Sequence, residues 1–385
     1  MTAQELWARL EAAVTLASND AAIRVKATYE PQGGPQMKVF PPTYIATGDG
    51  TRYQFEHRWR GDQQVEVVLL DSIQSQAKRA GIALAEVAEE LGLPQIVLEA
   101  KLEDRVVRLS SLVAPHRSRD AYLIDAEIDG TPFDKTPVGE SLNSVTPDDA
   151  SAALRYAPYD LIYGVWDSHR GKRVPIRFPR VYTSEIIGWD VLRGKKAATK
   201  SDPFNLPARD EVPLAEWRPE TATAQKKKTN VRLSELGHGM APVAPDESIG
   251  GVSVRAIERQ AVLSLTGLAR LRFGDNAGDA TCRVALAAIA LLGDRLAFGR
   301  SGLNLRSGSD LVLTGEQLEW VQAGGKTEPL TLEVEAAREL VTLAATQLRD
   351  AGFAWSAEPV VVSPSPRLSE VIARTFYVPE LDGED

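Results

Sequence analysis

The sequence predicts an α+β fold with a central core and large inserted lobes. Strand-like and helix-like segments alternate irregularly along the 385 residues, and long stretches without clear periodicity separate them. A doubly wound parallel sheet requires a regular alternation of strands and helices, which this chain lacks. Hydrophobic residues make up 43% of the chain and charged residues 25%, proportions typical of a globular protein with a sizeable buried interior.

Four segments have the clearest patterns of secondary structure, either a regular apolar spacing or a continuous apolar run. Residues 21–31 alternate like a strand, and residues 65–71 are an apolar run typical of a buried strand. Residues 280–298 are nearly all apolar, which predicts a buried helix. Residues 332–351 have the pattern of an amphipathic helix, which we expect to end at Gly352.

The remaining segments are less regular. Residues 105–130 are predicted as strand, loop and strand, residues 146–149 as the start of a helix, and residues 160–168 as a strand. From residue 193 to residue 250 the pattern is irregular, and this stretch is too long for an ordinary connection. We interpret it as a functional insertion.

Cysteine content and apolar runs indicate the compartment. The only cysteine, Cys282, excludes a disulfide within the chain and is typical of a reducing environment. The first residues include acidic side chains and no long apolar run, and no window of about 18 residues is uniformly apolar. We therefore expect a cytoplasmic protein without a secretory signal or membrane span.

The charge distribution leaves nucleic-acid binding open. The net charge of −9 argues against it at first, because phosphate binding requires lysine and arginine. Residues 155–200, however, contain ten lysines and arginines against four acidic residues, whereas residues 311–385 contain five against thirteen. An acidic lobe can coexist with a basic groove that binds nucleic acid.

A helix is predicted directly after the apolar strand, in the stretch LLDSIQSQAKR and beyond. Asp71 followed three residues later by Gln74 predicts a capping box at its start. Ser75, Lys78 and Arg79 fall opposite the apolar face of this helix. The apolar face follows the helical spacing of three and four residues and consists of Ile73, Ala77, Ala80, Leu84, Val87 and Leu91.

Ser75 and Lys78 also have the S-x-x-K spacing of serine acyl-enzymes. The other motifs of that class are missing, since the nearest approach to its Lys-Thr-Gly strand, at residues 326–328, lacks the glycine. We interpret the segment as a polar helix face on which Ser75, Gln76, Lys78 and Arg79 are candidate ligand contacts. A solvated face without a ligand is the alternative.

A second candidate cluster is the loop that contains His116, Arg117, Arg119 and Asp120. A histidine beside an aspartate can act as a general acid or base, whereas arginines offer a bidentate fork to phosphate. The residues alone leave three interpretations open: catalysis by His116, positioning of a phosphate ligand, and a structural loop with a local ion pair.

A third cluster combines cations with aromatic residues, an arrangement typical of a groove for single-stranded nucleic acid. Its alternative is a solvated edge strand. Phe178 lies among the cations and Tyr182 follows them. The cations are Arg170, Lys172, Arg173, Arg177 and Arg180. A lysine triplet in the irregular stretch is either a phosphate patch or a solvated run; it consists of Lys226, Lys227 and Lys228.

The residue pattern predicts no metal or nucleotide site. The histidines are scattered singly, without the paired spacing of metal ligands. The chain contains neither a P-loop motif nor a dinucleotide-binding motif. We expect no cofactor. The four histidines are His57, His116, His169 and His238.

Seven stretches occur in one order along the chain: EPQGG…PPTY, LLDSIQSQAKR, SLVAPHRSRDAYL, YGVWDS, TSEIIGWD, SELGHGMAP and GGVSV. With them the chain resembles, over residues 21–306, the CRISPR-associated RAMP protein that builds the backbone of type I-G (formerly I-U) Cascade-like effector complexes. That protein belongs to the seventh Cas family. One position departs from the family pattern, because Lys78 stands where an asparagine is expected before the arginine.

The resemblance implies an RRM-like (ferredoxin-like) palm, formed by residues 1–192 and 251–385, with large inserted lobes of the finger and thumb type. Residues 193–250 are the candidate thumb or finger. It also implies a non-catalytic subunit that polymerises along CRISPR RNA and presents the spacer for pairing with target DNA in antiviral defence. The implied partners are CRISPR RNA, target DNA, further copies of the chain, a fused Cas5–Cas6-type subunit and a large subunit.

Under this interpretation the candidate clusters hold the RNA by its backbone and leave base edges free for pairing. The predicted RNA contacts are Ser75, Gln76, Lys78, Arg79, His116, Arg117, Arg119, Arg170, Lys172, Arg173, Lys226, Lys227, Lys228 and His238.

Two other functions remain as alternatives. The chain could be a RAMP-type RNA endonuclease that processes CRISPR RNA with His116 as acid and base. It could also be a scaffold protein that binds no nucleic acid.

Overall fold

The structure, a computed structural model, describes residues 1–45, 50–102, 105–167, 176–217, 229–239, 241–246, 249–274, 278–306, 308–353 and 355–376. Its centre is an antiparallel sheet in the order β6-β7-β1-β5-β4-β3-β2, and β8 pairs with β7 beside β6. The strands are β1 (Asp20–Pro31), β2 (Phe55–Arg60), β3 (Gln63–Asp71), β4 (Tyr182–Trp189), β5 (Ala256–Ser264), β6 (Gly302–Asn304), β7 (Asp310–Gln322) and β8 (Thr327–Leu330).

Four helices cover one face of this sheet, and their buried side chains share one hydrophobic core with β1, β4, β5 and β7. The central one is nearly all apolar, as predicted, and packs between two of the others. The helices are α1 (Ala3–Ala13), α2 (Ile73–Val87), α3 (Asp279–Phe298) and α4 (Val334–Asp350).

The inner strands follow a ferredoxin-like path. Between β1 and β4 the chain passes through α2, β5 then pairs with β4, and α3 leads towards β7. The resulting order β7-β1-β5-β4 with β-α-β-β-α-β connectivity is that of the split β-α-β fold. The predicted α+β class with an RRM-like palm is therefore confirmed.

A second sheet lies beside the palm and is built largely from the segment between α2 and β4. Its strand order is Val106–Ser110, Ile96–Lys101, Val360–Pro364, Ala126–Ile128 and Thr131–Pro132. Short helices surround it at Ala121–Ile124, Pro137–Asn143, Ser151–Tyr156, Pro158–Tyr163 and Pro366–Phe376, with 3₁₀ turns at Arg117–Arg119 and Phe133–Lys135.

Two short predictions in this region are wrong. Residues 146–149 form a closed turn, and the helix begins only with Ser151–Tyr156. The predicted strand at residues 160–168 is the helix Pro158–Tyr163 followed by the short strand Val165–Asp167. An apolar run of this length fits either element, and Pro158 favours a helix start.

Residues 193–250 contain paired strands, although the sequence indicated an irregular stretch. The ladder Leu192–Arg193 with Val252–Ser253 joins the two ends of the stretch. Further out, Lys196–Lys200 pairs with Ala241–Asp246 and Glu211–Pro213 with Asn230–Arg232, before the helix Leu214–Trp217. Such pairing joins residues about 20 to 60 positions apart, which local periodicity cannot reveal. The division into palm and insertion stays a prediction. The remaining elements are Ile176–Phe178, Leu265–Leu268 and the 3₁₀ turn Ala323–Gly325.

The start of α2 differs from the predicted capping box. Ser72 is the N-cap, and its hydroxyl accepts a hydrogen bond from the Ser75 N–H at 3.3 Å. Asp71 is instead the last residue of β3, and its carboxylate accepts hydrogen bonds from the side chains of Gln76 and Arg79. Asp71 belongs to the strand, so the N-cap and the helix that follows it each lie one residue later than the predicted capping box.

Charged side chains lie beneath the helices, inside the covered face of the sheet. Arg259 of β5 is fully buried and donates to the carboxylate of Asp294 on α3. Tyr182 Oη donates to the same carboxylate at 2.5 Å. Arg295 contacts Asp294 as well and pairs with Glu316 of β7 at 2.6 Å.

This network continues to the start of α2. Arg259 Nε donates to Ser184 Oγ at 3.0 Å, and Ser184 Oγ donates to Gln76 Oε1 at 2.7 Å. The Gln76 amide donates to Asp71, which also accepts from Arg79 Nε at 2.8 Å. A continuous chain of polar contacts therefore crosses the sheet from β7 to α2.

The charge of Asp294 is stabilised by its partners. Burial raises the pKa of this carboxyl, but the positive charges of Arg259 and Arg295 outweigh burial and lower the pKa to about 2. Because the folded-state pKa lies below the unfolded value of about 3.9, the stabilisation is fully present above that value. It is lost as pH falls through the folded pKa.

The first prediction concerns Asp294→Asn. The substitution leaves Arg259 and Arg295 buried with a weaker partner, so the free energy of unfolding should fall by about 3–5 kcal/mol at pH 7. Urea denaturation between pH 7 and pH 2.5 measures this free energy. The difference in unfolding free energy between wild type and Asp294→Asn should become smaller below about pH 4.

Glu370→Gln is the control, because Glu370 pairs with Arg374 on an exposed helix face and such pairs contribute about 0.2–1 kcal/mol. Two results would contradict the role given to the network. One is a loss of unfolding free energy under about 1 kcal/mol in Asp294→Asn, and the other is a difference from wild type that does not change with pH.

Candidate nucleic-acid interface

The start of α2 presents one of its predicted contact residues to solvent. Lys78 is exposed, and Ser75 is half-buried beside the N-cap. Burial of Ala77 and Ala80 against the core directs Lys78 outwards. An exposed lysine one turn into a helix is available to a phosphate chain, and the contact of Lys78 with RNA stays a prediction.

Gln76 is placed differently. Its side chain is fully buried, and its amide bridges Asp71 and Ser184 within the polar network. Gln76 lies on the side of α2 that faces the sheet, among apolar neighbours. The sequence pattern did not reveal this burial, because a glutamine interrupts the apolar spacing. The structure therefore gives Gln76 an internal role rather than a surface position.

Arg79 is also engaged within the fold. Besides its contact with Asp71, Arg79 Nη1 donates to the Asn304 carbonyl oxygen at 2.8 Å and Arg79 Nη2 to that of Leu305 at 3.0 Å. Its side chain keeps 25% exposure. Arg79 thus joins three elements, β3, α2 and the end of β6.

The loop that follows Pro115 is anchored to the helix Pro158–Tyr163. Ser118 donates to the buried carboxylate of Asp160. Arg117 has a left-handed backbone (φ 51°), donates from Nη1 to the Gly164 carbonyl oxygen at 2.8 Å and lies 5.5 Å from the ring centre of Tyr163. Burial lowers the pKa of Arg117.

Arg119 is even more enclosed. Its side chain is 7% exposed and donates to Asn143 Oδ1 at 2.9 Å and to the Leu142 carbonyl oxygen at 2.5 Å. It also lies 3.9 Å from Asp167. The two arginines that were expected to clamp phosphate are therefore used to attach this loop to its neighbours, and this departs from the sequence-based prediction.

His116 is the exposed member of this loop. Asp120 does not orient its imidazole, since the carboxylate accepts the backbone N–H of His116 at 3.1 Å and that of Tyr122 at 3.2 Å. The predicted histidine–aspartate neighbourhood thus exists, but the aspartate serves the backbone of the loop.

The second predicted cluster contacts the strand that precedes the cation-rich segment. Arg119 lies 3.9 Å from Asp167, the last described residue before that segment. The predicted contacts in that segment and in the lysine triplet lie outside the described residues. They are Arg170, Lys172, Arg173, Lys226, Lys227 and Lys228.

His238 lies apart from these clusters, in the stretch 193–250. Its exposed ring stands edge-on to that of Trp217 with 5.4 Å between the ring centres. Trp217 is itself 46% exposed. An exposed aromatic pair of this kind can stack on unpaired bases.

Two exposed arginines beside α2 were missed from the sequence. Arg300 lies 3.9 Å from Glu86 of α2, and Arg306 follows the segment that Arg79 contacts. Arg306 Nη1 donates to the Pro41 carbonyl oxygen at 2.8 Å. The stretch GRSGLNLRSGSD, with its glycines and serines around two cations, was the signal that could have indicated them.

The open face of the sheet is less suited to nucleic acid. Arg24 and Lys26 both pair with Glu319, at 2.6 and 3.1 Å. Trp189 is 6% exposed and lies under the guanidinium of Arg60, so its ring is not free for a base. Opposite charges neutralise one another on this face, and the helix α2 surface is the better candidate.

In the part of the chain that the structure describes, no helix combines the length and apolar character needed to cross a membrane. Within the same residues no group of three or more histidine, cysteine, aspartate or glutamate side chains is arranged to bind a metal ion. No curated protein matches the chain.

A protein-family model does match. Residues 23–193 match the family described as CRISPR-associated protein GSU0053, and this region includes α2 and the loop of His116. The match confirms the resemblance to CRISPR-associated RAMP-type proteins of the seventh Cas family. The match over residues 23–193 supports a CRISPR-associated protein that is similar to the RAMP-type members of the seventh Cas family.

Proposed function

We propose that this chain is a non-catalytic CRISPR RNA-binding backbone subunit of a type I-G Cascade-like surveillance complex. Several copies polymerise along one guide RNA and present its spacer for pairing with target DNA in antiviral defence. The further partners are a fused Cas5–Cas6-type subunit and a large subunit. The type I-G assignment follows from the seven sequence stretches, whereas the family match supports the broader CRISPR role.

The observation that carries the proposal is the family match over a region that contains the exposed Lys78 at the start of α2. A subunit that holds a guide must contact phosphate and sugar and leave the base edges free, because base pairing supplies the sequence specificity. A lysine on a rigid helix can contact phosphate in this way without reading a base.

The polar network supports the same function. It fixes the position of α2 on the sheet through Gln76 and Asp71. Lys78 therefore projects from a rigid element, and a repeated subunit needs such rigidity to present the same geometry to each stretch of RNA.

The second prediction concerns Lys78→Ala. Loss of one phosphate contact should weaken binding of single-stranded RNA and reduce the slope of log K against log salt by about 0.7, the value for one contact on a single strand. Affinity measured by fluorescence anisotropy at four salt concentrations provides the slope.

Lys326→Ala is the matched control, since Lys326 is an exposed lysine at the turn between β7 and β8. It should leave both affinity and slope unchanged. Equal slopes in wild type and Lys78→Ala would remove Lys78 from the interface.

The third prediction concerns the endonuclease alternative. Asp120 accepts backbone N–H groups, and in the described residues no side chain forms a hydrogen bond with the His116 imidazole. We expect purified protein to leave precursor CRISPR RNA intact in the presence of EDTA, with no difference between wild type and His116→Ala. Metal-independent cleavage that disappears in His116→Ala would establish the alternative instead.

The experiment that tests the proposed function is co-expression with a CRISPR RNA and the neighbouring subunits, followed by purification and sequencing of bound nucleic acid. Protected RNA of spacer length with several copies of the chain per RNA is the expected result. A monomer that carries no RNA under these conditions would refute the backbone role and favour the scaffold alternative.

A further inference from the structure

Lys78 and Arg79 are neighbours in sequence but have different surroundings. Lys78 is exposed, while Arg79 is three-quarters buried and donates three hydrogen bonds within the protein. Both residues carry a positive charge near the proposed RNA path. Their environments nevertheless indicate two separate roles.

The three hydrogen bonds of Arg79 use the planar geometry of the guanidinium. Nε contacts Asp71 at 2.8 Å, Nη1 contacts the Asn304 carbonyl oxygen at 2.8 Å and Nη2 contacts the Leu305 carbonyl oxygen at 3.0 Å. A lysine ammonium is a point donor on a flexible stem and cannot reproduce this planar fork. The site therefore requires arginine for its shape as well as its charge.

The segment that Arg79 contacts is short, and Leu303 and Leu305 within it pack against a buried apolar cluster. β6 has only three residues and pairs on one side with β7. A turn follows, closed by the Leu305 N–H on the Ser309 carbonyl oxygen at 3.1 Å. Short edge strands are weakly held by their ladder alone, so the two hydrogen bonds from Arg79 add a direct attachment of this segment to α2.

Arg79 also connects the segment to the interior. Its partner Asp71 accepts from Gln76, which contacts Ser184 and through it Arg259. The position of β6 relative to α2 is thus tied to the buried network that crosses the sheet.

We infer that Arg79 is a positioning residue: it fixes the end of β6 against the start of α2 and so sets the surface on which Lys78 meets the RNA backbone. The inference rests on the proposed function, since it names how that same surface is held in shape. It assigns the phosphate contact to Lys78 and removes it from Arg79.

The fourth prediction compares Arg79→Lys, Arg79→Ala and Lys78→Ala in RNA affinity over a range of salt concentrations. Both Arg79 variants should bind single-stranded RNA about fivefold more weakly at each salt concentration, with the wild-type salt slope. Lys78→Ala should lower the slope by about 0.7. Hydrogen exchange should be faster at residues 302–306 in the Arg79 variants and unchanged there in Lys78→Ala.

Arg338→Ala is the matched control. Arg338 is 23% exposed and pairs with Glu90 at 2.8 Å, so it resembles Arg79 in burial and pairing but lies on α4. It should bind RNA as wild type does. Arg79→Lys keeps the charge beside Asp71 and provides a folded variant if Arg79→Ala does not fold.

Two outcomes would overturn the inference alone, each with wild type binding RNA. Arg79→Lys with wild-type affinity would show that charge suffices. A slope reduced in Arg79→Ala as much as in Lys78→Ala would show that Arg79 contacts phosphate directly. A wild-type protein with no RNA affinity, alone or co-purified with its guide, would overturn the proposed function as well.

Discussion

The buried contact between Arg259 and Asp294 is the interaction on which the rest of the palm depends. It joins the central strand β5 to the central helix α3 at a point where neither group has access to water. A charge buried without its partner costs several kcal/mol, so the sheet and the helix layer can pack in only one relative position. Ala27 lies opposite both Arg259 and Glu316 in the ladders, and its small side chain leaves room for these larger groups.

The predicted contact residues include two kinds of cation. Arg79, Arg117 and Arg119 are half-buried or nearly buried and are occupied by carbonyl and carboxylate oxygens of the protein. Lys78 is exposed. Arginine suits the first group because its planar donors satisfy several oxygens at once. Arginines near a candidate site can therefore hold the protein around that site together instead of contacting the ligand.

The sequence predicted the long elements well and their ends less well. Helix α2 follows from its apolar spacing, α3 from its apolar composition, and α4 ends before Gly352, whose φ is 81°. The capping box at Asp71 was wrong because Asp71 is the last residue of β3 and its carboxylate accepts hydrogen bonds from the side chains of Gln76 and Arg79. The helix start predicted at residues 146–149 was also wrong, because Thr146 and Asp149 pair through their backbones in a closed turn.

By itself, the sequence determined the α+β class, the main helices and strands and the resemblance to a CRISPR-associated family, because these depend on periodicity and on stretches of residues in a fixed order. Only the tertiary structure decided which candidate side chains are free to meet a ligand. Gln76 and Lys78 lie two residues apart on one helix, yet one is fully buried and the other exposed. The reason is physical, because a polar side chain can be buried only where hydrogen-bond partners surround it. For Gln76 these partners are Asp71 of β3 and Ser184 of β4, and Ser184 lies 108 residues further along the chain.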